Sequence, residues 1–371
     1  MHQLVSLTQA AYQSGPIDRD KWSRLLLAYA RVILAEPLRW YEQIAQGQAM
    51  DQAESPQSPV FVLGHWRSGT TFFYRLLSQD QRLGYLNYYA AVNPDIFLST
   101  EQSLKPRLNR LLRRLGTRNL IHRQAADLEM PGELDVAHLI QYFSHNAHLG
   151  HLFPRHADYY FDKYLFFETA TPQQVSFWQQ SYRHLLTKLA LKHDADQPLV
   201  IKSPVNTAHV RELLDLFPDA RFVYLHRDPR DVFYSNLDLW RVLLDRFALQ
   251  RVSEAEVKRI ILRVYRKMIN KYLADRDLIP AHNLVELRYE ALQADPLAQL
   301  ETVYERLRLP AFAPAEASIA RFLAAHQRSR TAYDYHDDDL ALIEQHWPAA
   351  AWQGPPRLRP RKNDRPQPLG L

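Results

Sequence analysis

The sequence contains no cysteine. That removes a disulfide-stapled scaffold, a thiolate zinc site and a cysteine nucleophile in one step. Glycine is scarce, 10 in 371 residues, so each obligatory tight turn stands out. No run of about 18 apolar residues occurs, so no bilayer-spanning helix is expected. The first residues, MHQLVSLTQAAYQSGPIDRDKW, lack a basic start followed by an apolar stretch. No secretory signal is therefore expected, and a cytoplasmic location is the default. Zinc-finger, helix-turn-helix and RNA-binding signatures are also missing, so nucleic acid is not the expected partner. The net charge of +5 is modest and suits an anionic ligand, or simply solubility.

What is present is core material. Hydrophobic residues make up 46% of the chain and aromatics 12%, enough for a packed interior. The length suits one α/β unit over residues 1–371, with no internal repeat. Residues 20–47 carry apolar residues at helical spacing, interrupted at Pro37, and read as two helices joined by a kink within an N-terminal helical segment, 1–55. The polar, Pro-rich stretch 51–59 reads as a linker. PVFVLG (59–64), QPLVIKSP (197–204), ARFVYLHR (220–227) and NLVELRYEAL (283–292) contain short apolar runs that read as buried parallel strands. Helical patterns over 70–80, 206–218 and from 228 onward alternate with them. The expectation is an α/β core over 59–310 with a central parallel sheet flanked by helices, a largely helical insertion at about 100–195, and an extended basic, Pro-rich tail at 354–371.

Gly64-His65-Trp66-Arg67-Ser68-Gly69-Thr70-Thr71 lies between the first strand and its helix. Gly64 and Gly69 allow the backbone to turn tightly and approach an anion. The first amides of the helix point at that anion, and the helix dipole favours negative charge there. Thr70 and Thr71 add hydroxyls, and Arg67 a fixed cation. The spacing is near that of the nucleotide-triphosphatase loop, but Thr70 stands where that loop has its Lys. A second anion site is expected at Arg227, at the carboxyl end of a strand, with Ser235 about two turns up the following helix. Asp228 and Asp231 there would pair with cations such as Arg230. A plain surface salt-bridge network is the bland alternative.

VLGHWRSGTTFF resembles the 5′-phosphosulfate loop of sulfotransferases that use 3′-phosphoadenosine 5′-phosphosulfate (PAPS). FVYLHRDPRDVFYSN resembles their 3′-phosphate motif, LRYEALQADP a later strand-turn segment of the family, and DLEMPGELDVAH (127–138) an acidic segment of its bacterial branch. The resemblance implies a P-loop-kinase-like fold and a sulfuryl donor, with adenosine 3′,5′-bisphosphate as product and no metal. It implies that Arg67, Ser68, Gly69, Thr70 and Thr71 hold the 5′ end, Arg227 and Ser235 the 3′-phosphate, and Tyr289 the adenine. Lys202 matches a Lys that reaches the transferring group. Two departures stand out. Pro204 occupies the place of the catalytic His of cytosolic members, and their Gly-rich C-terminal nucleotide segment is missing, with the basic stretch Arg357 to Lys362 as a substitute.

The base for the acceptor stays open between Glu133 and Asp135, then His65, His138 and His145. Glu133 leads, because the place about twenty residues past Arg67 holds Asn87, Tyr88 and Tyr89 with no acid; its alternative is an ion pair with a loop Arg. His138 and His145 are expected on one helix. Arg67 and Lys202 would stabilise charge, with Arg67 acting by hydrogen bonding rather than full proton donation. The acceptor is expected to be a small molecule with a hydroxyl or, second, an amine: a metabolite, lipid or carbohydrate. The aromatic stretch Tyr142 to Phe167 is either ordinary core or the lining of its pocket. The N-terminal helices either pack on the sheet or touch a membrane peripherally. The rival readings are a nucleotide kinase of related fold and a silent nucleotide-binding protein. Oligomeric state is not readable.

Overall fold

The computed structural model describes residues 2–116, 127–193, 197–326 and 333–347; the expected tail at 354–371 lies outside them. Five strands form the centre: β1 (Val60–Leu63), β2 (Gly84–Tyr85), β3 (Leu199–Lys202), β4 (Arg221–His226) and β5 (Leu284–Arg288). They pair in the order β2-β3-β1-β4-β5, and every pairing is parallel. Helices α1 (His2–Gln13) and α2 (Trp22–Gln52) precede the sheet, and α3 (Thr70–Leu77) links β1 to β2. Between β2 and β3 lie α4 (Tyr88–Val92), α5 (Phe97–Arg114), α6 (Leu134–Tyr142), α7 (Leu149–Leu152), α8 (Ala157–Tyr164) and α9 (Pro172–Ala190), the expected helical insertion. Helix α10 (Val210–Leu216) joins β3 to β4, and α11 (Pro229–Arg246) with α12 (Glu254–Asp275) joins β4 to β5. Then come α13 (Tyr289–Ala294), α14 (Pro296–Arg306), α15 (Ala313–Ala325) and α16 (Asp337–His346).

The unbroken apolar runs of the strands follow from burial on both faces. Successive side chains alternate sides. Phe61, Leu63, Ile201, Phe222 and Tyr224 face one core, which is filled by α9, α10 and α12. Val60, Val62, Val200, Val223 and Leu225 face the other, against α3, α14 and α15. A third cluster, with Leu7, Leu25, Val32, Phe153 and Leu249, holds α1 and α2 against α7 and α8.

Three local expectations differ. Pro37 does not divide the N-terminal segment; it sits inside the continuous helix α2. It lies on the exposed face, where water can satisfy the carbonyl that its missing N–H leaves free. The helix expected over 206–218 is a 3₁₀ turn, Pro204–Ala208, followed by α10, because Pro204 starts a fresh turn after β3. His138 and His145 do not share a helix. Helix α6 stops at Tyr142, and Phe143 and His145 both adopt left-handed backbone, at φ 49° and 51°.

Candidate functional site

The expected ligand-binding residues lie at or just beyond the carboxyl ends of β1, β3, β4 and β5, where parallel sheets bind ligands. The loop after β1 is drawn tight by its two glycines. Gly64 has φ 139°, and a Cβ there would lie 2.5 Å from the Leu225 carbonyl oxygen. Gly69 has φ 97°, and a Cβ there would meet the Tyr289 ring at 2.1 Å. Arg67 itself takes a left-handed backbone, φ 75°, which turns the loop between them. The Gly64 N–H donates to Thr207 Oγ1 at 2.8 Å, and Asn236 Nδ2 donates to the Trp66 carbonyl at 3.0 Å. Helix α3 then begins at Thr70, its first amides without intrahelical partners.

The second motif closes directly onto this loop. Arg67 Nε donates to Ser235 Oγ at 2.8 Å, and Arg227 Nη1 donates to the Arg67 carbonyl at 3.2 Å. The Arg227 guanidinium lies 4.9 Å from the centroid of the Tyr289 ring, which covers Gly69. Helix α11 starts as expected, with Pro229 in its first turn and Asp228 capping the Arg230 amide. Asp228 pairs with Arg230 at 2.5 Å and Asp231 with Arg227 at 2.9 Å. These are the ion pairs expected among Arg227, Asp228, Arg230 and Asp231.

Lys202, at the end of β3, reaches the other side of the loop. Its Nζ donates to Thr71 Oγ1 at 3.2 Å and forms an ion pair with Glu133 Oε1. Glu133 thus pairs with Lys202, and the loop cation Arg67 also feels its charge. Glu133 is brought there by residues 128–132, which run beside 86–89. Tyr88 N–H donates to the Met130 carbonyl at 2.6 Å, Gly132 N–H to Leu86 at 2.8 Å, and Asn87 bridges to Pro131. The acid that is missing from positions 87–89 thus arrives from a neighbouring segment.

The electrostatics match an anion site. Burial pushes the Arg67 guanidinium below its ordinary value, and the nearby Arg227 cation pushes the same way. Arg227 Nε and Ser68 Oγ are buried and meet no acceptor among the described residues. Unsatisfied buried donors beside two adjacent guanidiniums fit a polyanion with several acceptor oxygens, such as a nucleotide carrying phosphate at both ends. Arg67, Ser68, Thr70, Thr71, Lys202, Arg227 and Ser235 supply that donor set.

The remaining base candidates separate. Burial first, then the Glu133 charge, pushes the Asp135 carboxyl well above its usual range. His65 Nδ1 donates to the Trp66 carbonyl at 2.9 Å, and burial lowers it to about 4. His138 is engaged by Ser181 at 2.7 Å and Asn146 at 3.1 Å, and burial lowers it to about 3. His145 packs on Phe177 and feels Lys163 and His2, away from the loop. His148, which the sequence reading passed over, feels the charges of Glu133 and Lys202. Its ring edge packs on Trp66 at 6.2 Å, its Nδ1 meets His151 Nδ1 at 3.2 Å, and its Nε2 is buried with no partner among the described residues. Burial keeps it neutral. Its only sequence cue was membership of a His-rich stretch. A second missed element is the segment from Tyr333, which stacks on Tyr234 at 5.9 Å and is within electrostatic reach of Arg67. Tyr335 donates to Asp231 at 2.7 Å. The substitute segment expected at Arg357 to Lys362 lies outside the described residues.

A model described as the sulfotransferase family matches residues 59–314. Omega-hydroxy-beta-dihydromenaquinone-9 sulfotransferase Stf3 of Mycobacterium bovis is 25% identical over 332 residues, covering 89% of this chain and 84% of that protein. The protein of the same name from Mycobacterium tuberculosis matches to the same extent, 25% over 332 residues. Sulfotransferase STF9 from Mycobacterium avium has the same fold, with TM-score 0.69, 21% identity and 94% of each chain covered. Sulfotransferase STF1 from Mycobacterium tuberculosis H37Rv also gives 0.69, with 18% identity, 95% of this chain and 91% of that one.

Proposed function

The chain belongs to the sulfotransferase family, and we propose that it takes its sulfuryl group from PAPS and passes it to a hydroxyl of a lipid-like alcohol. The observation that carries the donor is the contact between the two anion motifs: Arg67 Nε on Ser235 at 2.8 Å and Arg227 on the Arg67 carbonyl at 3.2 Å. One nucleotide bearing a 5′-phosphosulfate and a 3′-phosphate spans such a pair of sites. The Tyr289 ring beside Arg227 and Gly69 offers a face for its adenine. The acceptor class rests on the named activity of the mycobacterial relatives, whose menaquinone acceptor is a lipid. The aromatic side chains around the His148–His151 pair, Trp66 on His148 and Phe161 and Trp240 on His151, are consistent with an apolar acceptor.

Sulfuryl transfer resembles phosphoryl transfer, so catalysis here is chiefly positioning and charge stabilisation. Arg67 and Lys202 donate hydrogen bonds to oxygens that gain charge as the S–O bond to the 5′-phosphate breaks. Glu133 holds the Lys202 ammonium in place and lies close enough to remain a base candidate beside His148. The acceptor oxygen forms the new O–S bond, and its proton passes to one of these two groups.

A thermal-shift titration with adenosine 3′,5′-bisphosphate, ADP and AMP tests the donor. The expected result is a selective upward shift with the bisphosphate, because bound ligand stabilises the native state. An equal or larger shift with ADP would turn the reading toward the kinase alternative.

A further inference from the structure

Helix α2 has an unusual outer face, and most of its charged side chains find partners on the protein. Arg24 Nη1 donates to the Ala248 carbonyl at 2.7 Å, Arg39 pairs with Asp95 at 3.1 Å, Arg31 donates to the Val92 carbonyl, and Glu42 pairs with Lys188. Leu25 and Val32 are buried, but a second set of apolar side chains points outward. Leu26 is 62% exposed, Leu27 69%, Ile33 56%, Leu34 76%, Trp40 69% and Ile44 84%. At 100° per residue, these fall on an arc of about 140° that carries no charged side chain from Trp22 to Gln48, about 39 Å of helix. Single exposed leucines are ordinary, but one contiguous charge-free face of this size is not.

The neighbouring helix indicates what covers it. Helix α5 packs on α2, where the Ser99 amide donates to Glu42 at 3.0 Å. It carries Lys105, Arg107, Arg110, Arg113 and Arg114 against one acid, Glu101, which Lys105 neutralises. The four arginines form no ion pair among the described residues. Between them α5 exposes Leu108, Leu111 and Leu115 at helical spacing. Two adjacent helices thus each present leucines to solvent, one with a neutral surround and one with a basic surround. A second copy laid along α2 would leave the α5 leucines uncovered and bring two sets of uncompensated arginines into one assembly. A broad surface with an apolar interior and anionic groups at its boundary satisfies both helices. No helix among the described residues is long and apolar enough to cross a membrane, so the contact is with the surface layer.

We propose that the outer faces of α2 and α5 dock the protein on an anionic lipid bilayer, with the apolar arc of α2 in the acyl boundary and the α5 arginines on the headgroups. Docking goes beyond sulfuryl transfer and does not depend on which acceptor the protein uses. The test is co-sedimentation of the full chain with vesicles of phosphatidylcholine, with and without phosphatidylglycerol. The unaltered protein is expected to partition onto the phosphatidylglycerol vesicles at least about tenfold more strongly than onto neutral ones. Leu34→Glu with Ile44→Glu, and separately Arg110→Glu with Arg114→Glu, should each weaken that binding about tenfold or more. The thermal shift with adenosine 3′,5′-bisphosphate should persist in both variants, which shows that they are folded. Absence of vesicle binding by the unaltered protein, or unchanged binding by both variants, overturns the proposal. So does a dimer in sedimentation equilibrium that Leu34→Glu with Ile44→Glu splits, since a second copy would then cover the arc. Loss of the nucleotide reading would leave the vesicle result standing.

Discussion

The two ends of the proposed site, donor and acceptor, are built differently. At the donor end, contiguous backbone does most of the work: a loop of eight residues, the start of α3 and the start of α11. At the acceptor end, single side chains come from distant segments: Glu133 from the stretch pinned to 86–89, Lys202 from β3, His148 from the turn after α6, and Trp66 from the loop itself. The first arrangement is close-packed, because the glycines let the backbone approach Leu225 and Tyr289 where any Cβ would clash. The second depends on several elements being in register. Donor chemistry can therefore be held constant while acceptor chemistry changes through a few side chains.

The sharpest way to break this comparison is to remove the cation the two ends share. Arg67→Ala should reduce the rate of transfer by about 10²–10³-fold, the usual effect of losing one donor to a developing oxyanion. Single-turnover kinetics would read it, and a rate within a few fold of the unaltered enzyme would show that Arg67 only shapes the loop. At the acceptor end, His148→Asn and Glu133→Gln should leave bisphosphate binding intact, and the true base should cost about 10²-fold in kcat. If His148 is the base, burial places its titration below the ordinary histidine value. Activity should then stay level as pH falls through about 6.5 and drop only below it, and His148→Asn should abolish that acid limb. An acid limb that survives in His148→Asn and disappears in Glu133→Gln assigns the proton to Glu133. The smallest effect belongs to the donor end: Arg227→Ala should weaken adenosine 3′,5′-bisphosphate binding by about 2 kcal/mol, measured by calorimetry, with little change in kcat at saturating donor. Unchanged affinity would remove Arg227 from the 3′ site.

The proximity of the two motifs at the proposed donor end was expected because its parts are local. Strand, loop and helix follow one another in the chain, and Gly64, Arg67, Gly69, Arg227 and Ser235 keep their spacing whatever the rest of the fold does. The parallel sheet was legible for a related reason: strands covered on both faces must be apolar throughout. The acceptor end was less so. Glu133 was singled out by its acidic segment, but its pairing with Lys202 was not foreseen. His148 carried no pattern at all. Periodicity also misjudged Pro37, since it registers the lost N–H but not whether the freed carbonyl faces water.

By itself, the sequence determined four of the five strands and their alternation with helices, the tight turn at Gly64 and Gly69, and the positions of the cations. Those properties follow from neighbours in the chain, through backbone sterics and the period of apolar residues. Only the tertiary structure decided that Arg67 meets Ser235, that Tyr289 closes on Gly69, that Lys202 takes Glu133, and that α2 turns its apolar face outward. Each of these joins residues far apart in the chain, and such contacts are set by how whole layers pack rather than by any local preference.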